Sequence, residues 1–225
     1  MDIPGYQIED NHLSIDKFRE MDYLAIERYH LPVELMMENA GLQLARLVAS
    51  LSSGGRVLIG IGPGNNGGGG LVAARRLAGW GFQVHLDIPV KELNELSRIQ
   101  LQRALAAGIS NHPVDNPDLY VDAFLGFSQR LPLPEVIQQS MQAGKKRSCP
   151  TISLDIPTGF NKRTRETLFN PEFILTLAAM KTELLSLSGG SEIFLADLGI
   201  PGAIYHHFGI KHPSMFRYSG LLKCI

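Results

Sequence analysis

A run of six glycines and two asparagines, GPGNNGGGG between Gly62 and Gly70, is the first segment of the sequence that could do chemistry. It follows a short apolar run, Val57–Ile61. Glycines let a backbone approach a ligand closely. A helix that begins after such a turn offers free N–H groups and a partial positive charge to a phosphate. We therefore predict a phosphate-cradling loop, with a helix beginning at Leu71.

The same glycines also match a dinucleotide-binding fingerprint. Gly62, Gly64 and Gly67 spell G-x-G-x-x-G, and Asp87 lies about 20 residues further on, where an acid would bind a ribose hydroxyl. Pro63 at the first variable position and the four consecutive glycines depart from that pattern. An NAD-dependent dehydrogenase is thus an alternative, but it would need a substrate domain for which 225 residues leave no obvious room.

Two aspartates end predicted strands, Asp122 in LYVDAFLGFS and Asp155 in TISLDIPTGF. Ligands of open α/β sheets bind beyond the carboxyl ends of the strands. An acid among apolar residues is costly to bury unless it is paired, bound to a cation or protonated for use. With the amides of Asn65 and Asn66 and the hydroxyl of Thr158, these acids would suit a hard cation rather than zinc or copper. Capping a helix or a turn is the alternative role for each aspartate.

The elements that must position these groups alternate as in a parallel sheet. Ser14 is a suitable N-cap for a first helix, and Pro32 begins a second helix that runs to about Leu51. The strands predicted from short apolar runs are Val57–Ile61, Gln83–Ile88, Tyr120–Leu125, Thr151–Leu154, Phe173–Leu177 and Glu192–Ala196, and the helices between them are Leu71–Trp80, Glu92–Ala107 and Pro134–Ala143. We predict one domain over residues 1–225, with an N-terminal arm at 1–13 and a C-terminal tail at about 207–225.

The amino-acid composition and net charge limit the partners and the cellular compartment that we predict. The chain is 44% apolar and 19% charged, as expected of a globular protein, and its net charge of −1 creates no field that would attract nucleic acid or anionic lipid. Two distant cysteines form no disulfide framework, so we predict a reducing compartment, the cytoplasm. No segment reaches the ~18 apolar residues of a membrane span.

Five segments, taken together, resemble the NAD(P)H-hydrate epimerase family, whose domain is the YjeF-type N-terminal domain. They are LMMENAG at 35–41, GIGPGNNGGGGLVAARRL at 60–77, VDAFLGFS at 121–128, LDIPTGFN at 154–161 and LADLGIPGAIY at 195–205. The resemblance implies an α/β fold: a Rossmann-like three-layer α/β/α sandwich with a mostly parallel sheet and two N-terminal helices, commonly as a homodimer. It also implies interconversion of the R and S epimers of hydrated NADH and NADPH (NADHX and NADPHX), so that an S-specific NAD(P)H-hydrate dehydratase can restore the cofactor.

The resemblance further implies roles for individual residues. Two segments would hold the hydrated dinucleotide, the first made of Asn65, Asn66, Gly67, Gly68 and Gly69, the second of Gly126, Phe127, Ser128, Gln129, Arg130, Leu131 and Pro132. One potassium ion per subunit would bind to Asn66, Asp122 and Thr158, and Asp155 would contact the hydrated nicotinamide ring. Our hypothesis for Asp155 is that its carboxyl group donates and later accepts a proton while it stabilises a ring cation.

The sequence departs from the family pattern around this predicted pocket. The family's glycine segment reads N-N-G-G-D-G, and Gly69 stands here in place of the acid. Arg130 stands in place of a lysine, and the segment at 160–165 is basic. Two hypotheses follow: an active epimerase with altered affinity, or a nucleotide-binding or scaffold module whose catalysis is weakened.

Overall fold

A computed structural model describes residues 3–52 and 54–225, and an eight-stranded sheet lies at its centre. The ten strands of these residues, β1 to β10 in chain order, are Gly5–Tyr6, His12–Leu13, Arg56–Ile61, Gln83–Asp87, Leu119–Ala123, Thr151–Leu154, Phe173–Leu177, Met180–Lys181, Glu192–Ala196 and Leu221–Cys224. The sheet order is β1-β10-β9-β7-β6-β5-β3-β4, and among the strand pairs of the described residues only β10–β9 is antiparallel. Strands β2 and β8 form a separate parallel pair.

In the part of the chain that the structure describes, six α-helices flank the sheet. Helices α1 to α6 span Ile15–Glu27, Val33–Leu51, Asn65–Gly79, Glu95–Ala106, Glu135–Lys145 and Gly202–His207. Two short 3-10 helices span Thr182–Leu187 and Ser214–Arg217. Among the described residues, no helix is both long and apolar enough to cross a membrane.

Alternation along the strands assigns the helices to two faces. In β3, Val57 and Ile59 pack in a cluster with residues of α2, α3 and α4, whereas Leu58 packs with Ile137 and Met141 of α5. Successive side chains of a strand point to opposite faces. The sheet is therefore the middle layer of a three-layer α/β/α sandwich, which confirms the fold class predicted from the sequence.

The predicted elements correspond closely to the observed ones, except at the chain ends, at the start of α3 and at the short strand β8. Strands β6, β7 and β9 have the predicted bounds, and α1 begins after Ser14, whose Oγ accepts a hydrogen bond from the Lys17 N–H. The segments expected as an arm and a tail contribute β1, β2 and β10, and β10 lies between β1 and β9. These strands are only two to four residues long, too short to show a recognisable periodicity.

The prediction for the start of the third helix was wrong. Helix α3 begins at Asn65, so the glycines Gly67–Gly70 lie inside its first two turns rather than in a loop. Close packing explains their presence: a Cβ at Gly67 would clash with the Gly62 carbonyl oxygen, and one at Gly70 would lie 2.7 Å from the Ala123 Cβ. Glycine thus lets α3 approach the strand ends closely, at a cost in helix propensity.

Two alanine substitutions in α3 test this account of the glycines. Gly67→Ala should lower the free energy of unfolding by about 1–3 kcal/mol, because the opposing atom belongs to the backbone and must shift. Gly79→Ala, in the last turn of the same helix, meets nothing within 4 Å and should raise stability by up to about 1 kcal/mol. Urea denaturation measures both, and equal effects of the two variants would contradict the packing explanation.

Candidate active site

A cavity of about 380 Å³ opens at the carboxyl ends of β3, β5, β6 and β7. This volume is within the usual range for a small-molecule site. Helices α1 and α2 form its apolar side, and the start of α3 and the segments after β5 and β6 complete it. Its lining residues are Phe18, Asp22, Val33, Met36, Met37, Ala40, Pro63, Gly64, Asn65, Asn66, Gly69, Asn94, Phe124, Leu125, Gly126, Phe127, Ser128, Gln129, Leu154, Asp155, Leu177 and Leu198.

The first turn of α3 faces this cavity. Asn65, Asn66 and Gly69 line it, whereas Gly67 packs on Gly62 and Gly68 packs beneath the surface against α2 and α4. Asn94, the N-cap of α4, holds the turn that leads into α3. Its side-chain amide donates a hydrogen bond to Asn65 Oδ1 (2.7 Å), and its backbone N–H donates to the Pro63 carbonyl (2.8 Å). Free N–H groups and the positive end of the helix make this corner suitable for a phosphate.

Asp155 forms a buried ion pair beneath the cavity. Its Oδ1 accepts a hydrogen bond from Lys181 Nζ at 2.9 Å, and its Oδ2 accepts one from the Phe127 N–H at 3.0 Å. The Lys181 ammonium also donates to the Leu177 carbonyl (2.7 Å) and lies 3.6 Å from the centroid of the Phe18 ring. Burial lowers the pKa of Lys181 from its ordinary value, and the Asp155 carboxylate opposes that shift.

Backbone strain accompanies this position. Asp155 has φ 68°, the left-handed region that non-glycine residues rarely adopt. Its N–H donates to the Leu175 carbonyl of the neighbouring strand (2.8 Å), which holds the residue at the strand end. Strained residues of this kind concentrate at functional sites.

A second carboxyl group, that of Asp22, faces the cavity from α1. It lies one helical turn after Phe18, so both side chains project from the same face of the helix. Burial and the Asp155 charge raise the pKa of Asp22 to about 6, and Lys181 opposes them. Two carboxyl groups with different environments therefore line the cavity, and only that of Asp155 forms an ion pair among the described residues.

Asp122 and Thr158 meet in a fully buried cluster. Asp122 accepts hydrogen bonds from Thr158 Oγ1 (2.6 Å), the Thr158 N–H (2.9 Å), Ser153 Oγ (2.8 Å) and the Phe124 N–H (3.3 Å). Burial raises the pKa of Asp122, and these hydrogen bonds oppose the shift. Among the described residues, no cationic side chain forms an ion pair with Asp122.

Asn66, the third predicted ligand of the potassium ion, lies on the cavity wall beside Gly126. An added Cβ at Gly126 would be 3.2 Å from Asn66 Oδ1 and 2.9 Å from Asp155 Oδ2. Within the described chain, Asn66 Nδ2 is buried and without a hydrogen-bond partner. Asp122 and Thr158 are thus in direct contact, while Asn66 and Asp155 both lie beside Gly126.

The turn predicted as the second wall divides into two parts. Gly126 to Gln129 line the cavity, whereas Arg130, Leu131 and Pro132 are exposed and lie outside its lining. Gln129 connects this turn to the one after β6, because its amide donates to the Pro157 carbonyl (3.0 Å) and accepts from the Gly159 N–H (2.7 Å).

Asp87, which a dehydrogenase would need beside a ribose, does not line the cavity. It accepts a hydrogen bond from Ser140 Oγ of α5 at 3.3 Å, and burial raises its pKa. The Asp87 side chain is therefore directed to the face of the sheet that α5 covers.

Sequence reasoning missed Lys181 and Asp22. Each had a recognisable signal: Lys181 ends the apolar run ILTLAAMK, and Asp22 lies among the apolar residues Phe18, Met21 and Ala25 of a helix face. A charge within an apolar pattern predicts either a partner or a function.

Comparisons with known proteins show which family the sequence resembles. The family model described as "YjeF-related protein N-terminus" matches residues 33–183. The chain is 34% identical to the NAD(P)H-hydrate epimerase of Rhodopirellula baltica, with 88% of each chain covered, and 38% identical to that of Dehalogenimonas lykanthroporepellens, with 89% of this chain and 86% of the relative covered. It also resembles a bifunctional NAD(P)H-hydrate repair enzyme of Thermofilum pendens, at 30% identity, covering 42% of that longer protein.

A solved structure has the same fold. The crystal structure of the yeast protein ynu0 has a TM-score of 0.84 to this chain, at 22% identity, and covers 94% of this chain and 99% of its own. Because the family model matches residues 33–183 and the relatives cover most of the sequence at 30% identity or more, the chain belongs to the NAD(P)H-hydrate epimerase family.

Proposed function

We propose that the chain interconverts the R and S epimers of NADHX and NADPHX at this cavity. The observation that carries the proposal is the Asp155–Lys181 pair, in which a buried ammonium holds a carboxylate at the edge of a mostly apolar cavity. The shared name of the relatives supports the same activity.

The residues of the cavity suit the two ends of such a substrate. We assign the phosphates to the start of α3, through Asn65, Asn66 and the N–H groups of the first turn. The hydrated ring then lies toward Asp155, with apolar side chains such as Met36 and Leu154 excluding water. Epimerisation at C6 breaks the bond to the hydroxyl group and leaves a ring cation, which a fixed carboxylate stabilises.

Potassium is the proposed cofactor, held by Asp122, Thr158 and Asn66. The fit rests on Asp122, a fully buried carboxylate whose hydrogen bonds come from neutral donors, and on oxygen ligands of the kind that hard cations prefer. When bound, the ion supplies a positive charge that compensates Asp122. The turn at 155–159, which carries both Asp155 and Thr158, is then held in place.

Thermal unfolding in KCl and in NaCl of equal ionic strength tests the cation site. Potassium should raise the stability of the unaltered protein, by about 1.4 kcal/mol at a concentration ten times Kd. Thr158→Val should remove this increment, while Ser140→Ala, which alters a hydrogen bond to Asp87, should keep it. Equal stability in the two salts would contradict the proposal.

The side chain that Gly69 lacks would not begin in contact with the groups to which we assign the chemistry. A Cβ at Gly69 would lie 3.2 Å from Leu154 Cδ2 and 3.9 Å from Ala40 Cβ, both of which are apolar. This favours an active enzyme over a binding or scaffold module. A dehydrogenase is disfavoured, because Asp87 lies against α5.

We further propose a homodimer and a functional partnership with an S-specific dehydratase. The bifunctional Thermofilum relative supports the second proposal, since its name describes repair of the same hydrates.

A coupled assay tests the function: R-NADHX is incubated with an S-specific dehydratase, with and without this protein. Loss of the R epimer faster than its spontaneous rate supports an epimerase, while an unchanged rate with measurable ligand binding would favour the binding module.

A further inference from the structure

We infer that Asp22 is a second catalytic residue, which exchanges a proton with the C6 oxygen of the substrate while Asp155 remains a carboxylate. The inference rests on the proposed function and divides the reaction between two acids on two walls of the cavity. Asp22 lies on α1, and Asp155 follows β6. Both side chains line the cavity.

The hydrogen bonds of Asp155 make it unsuited to donating a proton. Its Oδ1 accepts from the Lys181 ammonium and its Oδ2 accepts from the Phe127 N–H. Both carboxylate oxygens are thus already engaged by donors, one of them charged. Asp155 with Lys181 is a fixed ion pair, whose carboxylate can stabilise a neighbouring cation.

Asp22 has the opposite environment. Among the described residues, its carboxyl group has no hydrogen-bond partner, although it is largely shielded from solvent and faces the cavity. The Asp155 charge nearby favours its neutral form. A carboxyl group that opens on a cavity, with neither a donor nor a cation in direct contact, is available to a ligand.

The proton transfer balances over one turnover. Neutral Asp22 gives its proton to the C6 hydroxyl as the C6–O bond breaks, the electron pair leaves with the oxygen as water, and a ring cation remains beside Asp155. A water molecule then adds to the other face of C6. Its surplus proton returns to the Asp22 carboxylate through solvent water, so one hydroxyl group leaves, one is added, and the enzyme regains its starting state.

The charged groups around Asp22 set the pH range. Asp155 and Lys181 face it, and together with burial they give a pKa of about 6. From the other elements packed against α1, His206 and His207 of α6 are exposed, His12 of β2 bonds to Thr182, and Glu183 accepts from the Ile15 N–H, about two turns away. On α1 itself, Arg19 pairs with Asp16.

Steady-state kinetics of the full chain test the role of Asp22, with R-NADHX as substrate and spontaneous epimerisation subtracted. In the unaltered enzyme, kcat/KM should fall as pH rises through about 6, because the neutral acid is lost. Asp22→Asn should lower kcat about 10²-fold with little change in KM and should abolish that pH dependence. Asp22→Glu should recover part of the activity, and the control Asp16→Asn, exposed on the same helix, should behave as the unaltered enzyme.

Thermal unfolding separates this role from a structural one. The raised pKa means that ionised Asp22 weakens the folded state above pH 6, so Asp22→Asn should unfold at the same or a higher temperature at pH 7.5. Turnover of Asp22→Asn within about threefold of the unaltered enzyme, a change confined to KM, or a lowered unfolding temperature would overturn the inference. If the unaltered enzyme failed to interconvert the epimers, the proposed function would fall and this inference with it.

Discussion

Lys181→Met should lower the free energy of unfolding by about 3–5 kcal/mol, the largest stability effect that we expect in this chain. The Lys181 side chain is fully buried, and that of Asp155 is 2% exposed. Removing the cation leaves the carboxylate buried without a counter-ion, and methionine of similar length cannot replace the hydrogen bonds to Asp155 Oδ1 and the Leu177 carbonyl. Urea denaturation at pH 7.5 measures the loss.

Two further variants show whether that loss of stability comes from the unpaired buried charge. Lys162→Met removes a pair between Lys162 and Asp16 that has the same 2.9 Å separation but is exposed, and should change stability by less than about 1 kcal/mol. The double variant Lys181→Met/Asp155→Asn should be more stable than the sum of its single effects predicts, because it leaves no unpaired charge. A loss from Lys181→Met that is as small as that from Lys162→Met would show that the buried pair is energetically unimportant.

Asp155→Asn should reduce epimerase turnover by about 10²–10³-fold. Asparagine keeps the shape of the side chain but cannot supply the negative charge beside the developing ring cation. The substitution also leaves Lys181 without its counter-ion, and a buried lysine in that position loses its proton more readily. Turnover must therefore be compared at a temperature well below the unfolding transition of the variant.

Asp118→Asn is a matched control for this substitution. Asp118 accepts a hydrogen bond from the Arg56 N–H at the amino ends of β3 and β5, whereas the cavity lies at their carboxyl ends. The Asp118→Asn variant should retain full turnover. Normal turnover in Asp155→Asn with an intact fold would remove Asp155 from the catalytic site and would leave Asp22 as the acid to examine.

The central part of the fold was predictable because its strands are short and apolar and because its first helix begins at a recognisable cap. The Ser14 side chain accepts a hydrogen bond from the N–H three residues later, as predicted, whereas the cap at Asn94 was not predicted and α4 begins three residues after the predicted start. Strands β1, β2, β8 and β10 were not predictable. Each is two to four residues long and exists only because a distant segment pairs with it.

The site was predictable where its residues follow strand ends and was not predictable where distant elements contribute to it. Asp122 and Asp155 come directly from the strand pattern. Lys181 reaches Asp155, and Asp22 reaches the cavity, only through tertiary packing, of β8 on β2 and of α1 over the strand ends, which a local pattern does not reveal. The start of α3 was misjudged because glycine propensity argues against a helix, while the packing on Gly62 and Ala123 requires glycine.

The rate at which purified R-NADHX becomes S-NADHX, without any dehydratase, is the most direct measure of the proposed activity. Chromatography that separates the epimers follows both species from pure R and from pure S starting material. We predict that catalytic amounts of the protein bring both mixtures to the same equilibrium ratio far faster than the spontaneous reaction, with Asp155→Asn much slower. Equilibration at the spontaneous rate, in the presence of potassium and with a folded protein, would contradict the assignment of this cavity as an epimerase site.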